Sequence, residues 1–203
     1  MKQNVGKAVK IAVLTVGAFV MIFPFLWMLF TSLKTLPESI SIPPTLFPAM
    51  PQFENYTEAL AVAPFGLYLR NSIIVAGGGT LLTLVLTVLS AYGFTIYEFR
   101  GKKLLFGFII LTMIIPGTTM IVPQFELATH LGLVNRLWGL IPFYVAWVIP
   151  FSTFMIKGFM EGIPDEITEA TYIDGASVWT VYVRISLPLA APAIASVSIF
   201  NFL

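Results

Sequence analysis

The sequence predicts an all-α membrane protein built as a multi-span helical bundle. Hydrophobic residues make up 58% of the 203 residues and charged residues only 10%, where a soluble domain carries about a quarter charged. Four long runs pass without an Asp, Glu, Lys, Arg or His in their interiors. The charged residues gather in the intervals between them. A net charge of +1 argues against nucleic acid as a partner. The chain has no cysteine, which removes disulfides, thiolate zinc sites and cysteine nucleophiles.

The elements follow in order. Lys2, Lys7 and Lys10 precede a charge-free run from Ile11 to Leu33, long enough to cross a bilayer core of about 30 Å. This run is too long for a signal-peptide core and no small-residue cleavage site follows, so it reads as a retained first span, with Pro24 a possible kink. Six prolines between Pro37 and Pro64 break any long helix in residues 34–70, leaving an irregular loop with one short helix near Glu54–Ala61. Asn55-Tyr56-Thr57 matches a glycosylation acceptor pattern, but chance explains three residues better. The second span runs Asn71–Tyr97 and holds Gly77-Gly78-Gly79, which permits close helix packing or a bend. No Gly-Lys-Ser/Thr follows these glycines, so they form no phosphate loop.

Glu98, Arg100, Lys102 and Lys103 mark a charged turn before a third span, Leu104–Val122. Pro116-Gly117 inside it frees carbonyls that need other partners at membrane depth. Residues 123–136 read as a short polar link that carries the one histidine, His130. A lone histidine without clustered carboxylates is a poor metal site. The fourth span is Leu137–Ile156, ended by Lys157, and a fifth begins at Leu187. The expected count is therefore four full spans plus part of a fifth. Trp27, Trp138 and Trp147 suit interfacial anchoring, packing or the lining of a path, with packing favoured at any one position. Absent ionisable groups at membrane depth weaken an ion-driven carrier, and no Walker motif is present. Serine nucleophiles lack His–Asp partners, and acids such as Asp165 and Glu169 suit a solvated helix face better than acid–base catalysis.

The longest polar interval of the second half is Glu161–Pro188, with acidic Glu161, Asp165, Glu166, Glu169 and Asp174. Its chemistry predicts two short helices and a hinge. Pro164 suits a first helical turn, and Asp165 and Glu166 favour the positive end of the helix dipole. Ile163, Ile167 and Ala170 fall at helical spacing as one apolar stripe. Gly175 can close that helix, and Ser177 can cap a second one running towards Ile185, before Pro188 opens the next membrane segment.

Within this interval, Glu169-Ala170-Thr171, three residues, Gly175, nine residues and Ile185-Ser186-Leu187-Pro188 resemble the EAA loop of bacterial ABC importer permeases. Ile163-Pro164-Asp165-Glu166 and Asp174-Gly175-Ala176-Ser177 resemble the carbohydrate branch, the maltose-type second permease subunit. Thr171 departs from the usual second alanine, but it is small and can hydrogen-bond within a helix. Leu69-Arg70-Asn71-Ser72, Tyr92-Gly93-Phe94, Arg100-Gly101-Lys102-Lys103, Leu131-Gly132-Leu133-Val134-Asn135 and Phe151-Ser152-Thr153-Phe154 extend the likeness over nearly the whole chain.

The resemblance implies a type I ABC importer permease fold. It also implies an ATPase-coupling role for Glu169, Ala170, Thr171, Asp174, Gly175, Ile185, Leu187 and Pro188. Implied partners are ABC ATPase subunits, a second permease subunit, an extracytoplasmic solute-binding protein, a sugar cargo and the lipid bilayer. No cofactor is implied, and ATP hydrolysis belongs to a separate subunit. Such permeases have six spans, and the family's tryptophan-asparagine segment and sixth span are missing here, so a C-terminal truncation is expected. The expected division is 1–69 for the tail, first span and outer loop, and 70–203 for the permease core with its coupling loop 157–188.

Charge asymmetry sets the expected orientation independently of the resemblance. With the N-terminus inside, Lys2, Lys7, Lys10, Arg100, Lys102, Lys103, Lys157 and Arg184 are inner; Lys34, Arg70 and Arg136 are outer. Eight against three accounts for all 11 basic residues and places the 157–188 loop in the cytoplasm. A permease for another small solute, and a passive channel or membrane scaffold, are the alternative functions.

Overall fold

The computed structural model describes residues 2–203. Among the described residues the regular structure is entirely helical. The chain forms two compact units, one ending at Phe65 and one spanning Gly66–Leu203.

The first unit contains α1 (Lys2–Ser32), α2 (Leu36–Ser39) and α3 (Glu54–Val62). Pro24 lies inside α1, and residues Lys10–Ser32 form an apolar helix long enough to cross a membrane. The end of α1 is where this unit is stitched together. A helix leaves its last carbonyls without partners, and here the returning loop supplies them. Asn55 Nδ2 donates to the carbonyls of Ser32 and Lys34, each at 2.9 Å, and the Gln52 amide donates to Leu33 at 2.8 Å. Asn55 thus has a structural task that accounts for it without a glycan. Lys34 is buried; its ammonium donates to the Thr45 carbonyl and lies 5.2 Å from the Trp27 ring centroid.

The second unit is organised around two long helices, α4 (Phe65–Ile96) and α7 (Ile141–Met160). Each is long and apolar enough to span a bilayer; the second counts its preceding 3₁₀ turn, Leu137–Leu140. Gly78 lets them approach: a Cβ there would sit 3.0 Å from Ile141 Cδ1. Three hydroxyls of α4 are turned back on their own helix, with Thr87, Ser90 and Thr95 donating to the carbonyls four residues earlier at 2.7–2.8 Å. This satisfies polar groups that hydrocarbon cannot. Ser152 of α7 and Asn201 exchange hydrogen bonds at 3.1 and 3.2 Å across helices.

The charged turn after α4 is closed by Glu98 and Lys102, 2.7 Å apart, and Lys102 holds the Glu98 carboxyl below the usual carboxylate range. The third hydrophobic run then departs from a straight span. It forms α5 (Lys102–Thr112), a 3₁₀ turn at Gly117–Met120 and α6 (Ile121–His130), bent by 89° between the two halves. Residues 123–136 are thus not a simple polar link: most of them continue α6, and His130 is its last residue. Proline at 116 has no N–H and disfavours helix in the residue before it. The turn amides of Met113, Ile114 and Ile115 bond three residues back, and the Thr112 and Thr119 hydroxyls donate to Ile109 and Pro116 carbonyls at 2.6 Å. The freed carbonyls therefore find partners within the bend itself.

The Trp147 indole rests on that bend. A Cβ at Gly117 would lie 2.3 and 2.6 Å from two indole carbons. Gly117→Ala should therefore destabilise the bend by about 1–3 kcal/mol through overpacking. Thermal unfolding in detergent should show a midpoint several degrees lower, with recovery in Gly117→Ala/Trp147→Leu. An unchanged midpoint in the single variant would mean that the indole moves aside without cost.

Candidate functional site

The polar interval Glu161–Pro188 begins as α7 ends. Lys157 pairs with Glu161 and lies 4.7 Å from the Phe106 ring of α5, so the last turn of α7 is tied to α5 where the chain leaves it. Next comes α8 (Asp165–Ile173), with Pro164 in the position just before it rather than inside its first turn. Asp165 and Glu166 occupy the first turn, as the helix dipole favours.

A Schellman motif ends α8. Gly175 has φ +83°; its amide donates to Tyr172 at 3.0 Å and the Ala176 amide reaches back to Thr171 at 3.1 Å. The Ser177 hydroxyl then accepts from the Thr180 amide at 3.2 Å, capping α9 (Val178–Val181). The second helix differs from a regular run to Ile185. It widens into a π-helical turn at Tyr182–Ser186 and passes through α10 (Leu187–Leu189). It then bends by 70° at Ala190 into α11 (Ala191–Phe202). The final apolar segment therefore grows out of the loop itself instead of starting at Leu187.

One aromatic pair fastens this loop to the spans. Tyr182 stacks on Tyr92 of α4 with centroids 4.9 Å apart, and the Tyr92 hydroxyl donates to the Val178 carbonyl at 3.4 Å. Val88, Ala91, Ile156, Met160, Ala190 and Val197 complete the buried cluster around them, with Ile163 and Leu187 packed at its edge. An aromatic pair adds about 0.5–1.5 kcal/mol beyond its buried area. Beneath α8 a small polar cavity of about 190 Å³ is lined by Tyr92, Thr95, Glu161, Asp165, Thr168 and Ser186, among others.

The expected apolar stripe is not the buried face of α8. Ile163 is half-buried, but Ile167 and Ala170 are exposed, and the half-buried positions within the helix are Thr168 and Thr171. The Thr171 hydroxyl donates to the Ile167 carbonyl at 2.7 Å, so threonine fits this helix without an unmet polar group. Outward-facing are Glu166, Glu169, Asp174 and two large apolar groups, Ile173 at 86% and Trp179 at 67% exposure. Among the motif residues, Glu169, Ala170, Asp174, Gly175 and Pro188 are exposed, while Thr171, Ile185 and Leu187 are half-buried. The motif is thus split between a surface and its anchor. Sequence spacing alone missed Tyr92, Tyr182 and Met160, the anchoring residues; the aromatic pair is 90 positions apart and carries no local signal.

The model of the binding-protein-dependent transport system inner membrane component matches residues 83–203. The chain belongs to this family. The diacetylchitobiose uptake system permease protein NgcG of Streptomyces coelicolor is 37% identical over 97% of this chain and 65% of its own length. The sulfoquinovosyl glycerol transport system permease protein SmoH of Agrobacterium fabrum is 36% identical over 89% of the chain and 64% of its own length. The trehalose/maltose transport system permease protein MalG of Thermococcus litoralis is 33% identical over the whole chain and 73% of its own length. The chain therefore spans about two thirds of the length of these relatives. A solved bacterial ABC transporter involved in import of the acidic polysaccharide alginate overlays with a TM-score of 0.77 at 21% identity, covering 99% of this chain and 70% of that one. At that identity the likeness speaks for the fold, which is that of an ABC importer permease.

Nothing lies within 4 Å of a Cβ built on Gly175, so any penalty there comes from the backbone. Gly175→Ala should cost about 1 kcal/mol, the strain of a left-handed L-residue. Hydrogen exchange at the Ala176 amide should quicken about fivefold while the α7 amides keep their protection. Unaltered exchange at Ala176 would show that the turn does not depend on that conformation.

Proposed function

We propose that this chain is the membrane-embedded permease subunit of a binding-protein-dependent importer for a sugar or oligosaccharide. Its energy comes from ATP hydrolysed on separate ATPase subunits, so the chain itself catalyses no chemical step. A second permease subunit and an extracytoplasmic solute-binding protein complete the assembly. The core is residues 70–203; residues 1–69 supply the tail, first span and outer loop. The N-terminus and the 157–188 loop face the cytoplasm, as the eight-to-three distribution of basic residues supports. The carbohydrate cargo is supported by the printed activities of the diacetylchitobiose, sulfoquinovosyl glycerol and trehalose/maltose permeases.

The observation that carries the coupling role is the division within Glu161–Pro188. One side is bolted to α4 and α7 through Tyr182, Ile163 and Leu187. The other presents Ile173 and Trp179 beside Glu166, Glu169 and Asp174. A merely connecting loop gains nothing from displaying its largest apolar groups to water. A docking helix does, because truncating a central apolar anchor costs more than 1 kcal/mol of binding. Glu169, Ala170, Asp174 and Gly175 form the docking side, Thr171, Ile185 and Leu187 hold it to the spans, and the exposed Pro188 opens the segment that follows.

Two outcomes test this in the assembled transporter. A cysteine at Ala170 should crosslink to cysteines in the ATPase cleft, with a yield that changes on ATP binding; absence of crosslinks from every exposed position of α8 in an active complex would sink the role. Ile173→Asp should leave the thermal midpoint unchanged but lower ATP-dependent sugar uptake at least about tenfold, the size of one lost apolar anchor. Normal uptake in that variant would remove Ile173 from the interface.

A further inference from the structure

The polar cavity of about 190 Å³ beneath α8 lies where the end of α7, the start of α8 and the α4 face carrying Tyr92 and Thr95 meet. Its oxygens share one property: they accept hydrogen bonds. The Thr95 hydroxyl spends its proton on the Ala91 carbonyl at 2.8 Å, Thr168 on the Asp165 carbonyl at 2.8 Å, and Tyr92 on the Val178 carbonyl at 3.4 Å. Each has only lone pairs left for the cavity. Glu161 and Asp165 add carboxylates, which only accept when ionised. Lys157 pairs with one oxygen of Glu161, and Asp165 makes no ion pair among the described residues. Two carboxylates against one ammonium leave one negative charge at the lining.

Ser186 points to what fills this space. The residue is 4% exposed, it lines the cavity, and its hydroxyl has no hydrogen-bond partner among the described residues. Buried hydroxyls are ordinarily paired. One left free beside an acceptor-rich space takes its partner from that space. The helix ends do not decide the local field. Glu161 caps the C-terminus of α7 and Asp165 sits in the first turn of α8, so the negative end of one helix faces the positive end of the other. The carboxylates therefore set the sign.

We infer that this cavity binds a hydrated divalent cation of the magnesium class, held by the Glu161 and Asp165 carboxylates, with Thr95, Thr168 and Ser186 bonding its waters. No three acidic or imidazole groups converge among the described residues, so the site is not a closed zinc or calcium cage. Magnesium needs none, because it keeps several waters and binds through one or two carboxylates. The space admits an ion with its waters, since each water needs at least about 10–15 Å³ of cavity. An anion would meet oxygens that repel it, and an apolar group would leave them unpaired. The ion ties the ends of α7 and α8 to α4 and to the π-helical turn, which stiffens the joint between loop and spans. That consequence rests on the coupling reading; the site itself does not.

The test uses the full transporter with its partner subunits, purified without nucleotide. Mn²⁺ is the probe, its binding read from loss of the free-ion EPR signal, with Mg²⁺ as competitor. The expected Kd is about 0.1–1 mM, the weak end of cation sites, set by few charged ligands. Asp165 is exposed, and Asp165→Asn should weaken binding by at least about tenfold, as loss of one supporting carboxylate does. Ser186→Ala should weaken it about fivefold, the size of one neutral hydrogen bond. Glu161→Gln supplies a second carboxylate variant if the asparagine variant fails to assemble. Added Mg²⁺ should slow hydrogen exchange at the α8 amides in the wild type and not in Asp165→Asn. Absence of Mn²⁺ binding overturns the site, as does binding that Asp165→Asn or Ser186→Ala leaves unchanged, which places the ion on a partner subunit. Displacement by KCl as effective as by Mg²⁺ at the same concentration overturns the divalent class. No step of this test needs sugar or ATP, so a complex that binds the ion but imports no sugar overturns the importer reading alone.

Discussion

The contact between Tyr92 and Tyr182 holds the polar loop to the helices before and after it. The two rings meet 4.9 Å apart near the end of α4, and the Tyr92 hydroxyl reaches the Val178 carbonyl. Van der Waals packing and hydrogen bonds dominate helix association in lipid, where apolar burial gives little advantage. A tight aromatic contact reinforced by a polar one is therefore a strong way to join a loop to a span. Met160 and Ile163 fill the same cluster from the α7 side, and Ala190 and Val197 from the last helix. The loop is consequently fixed to three membrane helices at one point.

That anchorage gives the π-helical turn at Tyr182–Ser186 a local meaning. A π turn inserts extra backbone into one helical turn and changes the direction in which side chains point. Here it sits between two demands. Tyr182 must reach Tyr92, and Leu187 must reach the same buried cluster five residues later. The proline pair Pro188 and Pro192 then limits helical hydrogen bonding on both sides of Ala190, where the chain bends by 70°. Ala190 is fully buried at the bend, and a larger side chain there would press into the cluster.

The parts of this fold that were legible in the sequence are those whose cause is local. Gly175 followed by Ser177 announces a left-handed turn and a cap, and both are present. Long uncharged runs announce spans, and α1, α4 and α7 qualify. What could not be read has a tertiary cause. Pro116-Gly117 signals a break, but neither the 89° angle nor the Trp147 indole packed where a Cβ of residue 117 would be carries a local signal. The polar character of residues 123–136 suggests a link, whereas most of them form a helix ended by another left-handed glycine, Gly132. The stripe of Ile163, Ile167 and Ala170 has helical spacing, but spacing cannot tell whether a stripe faces the protein's own core or outwards. In α8 the threonines turn inwards and most of the apolar residues turn out.

The same three helices that hold the loop run on well beyond it. On α4, Thr83 and Tyr92 are nine residues apart, about 14 Å of helix. On α7, Tyr144 and Met160 are separated by sixteen residues, about 24 Å. Asn201 lies a few residues beyond Val197 on α11. A packed helix moves as a body, so a displacement applied at the Tyr92–Tyr182 contact cannot stay confined to the loop. It must alter the joints between helices. The described joints differ in character: Gly78 against Ile141 is close-packed, and Ser152 with Asn201 is a neutral hydrogen-bonded pair. Neutral pairs can be exchanged for other hydroxyls without stranding a charge in lipid. An interior joined by neutral hydrogen-bonding groups therefore lets the helices shift within the same chemistry, which an ion-paired interior would resist.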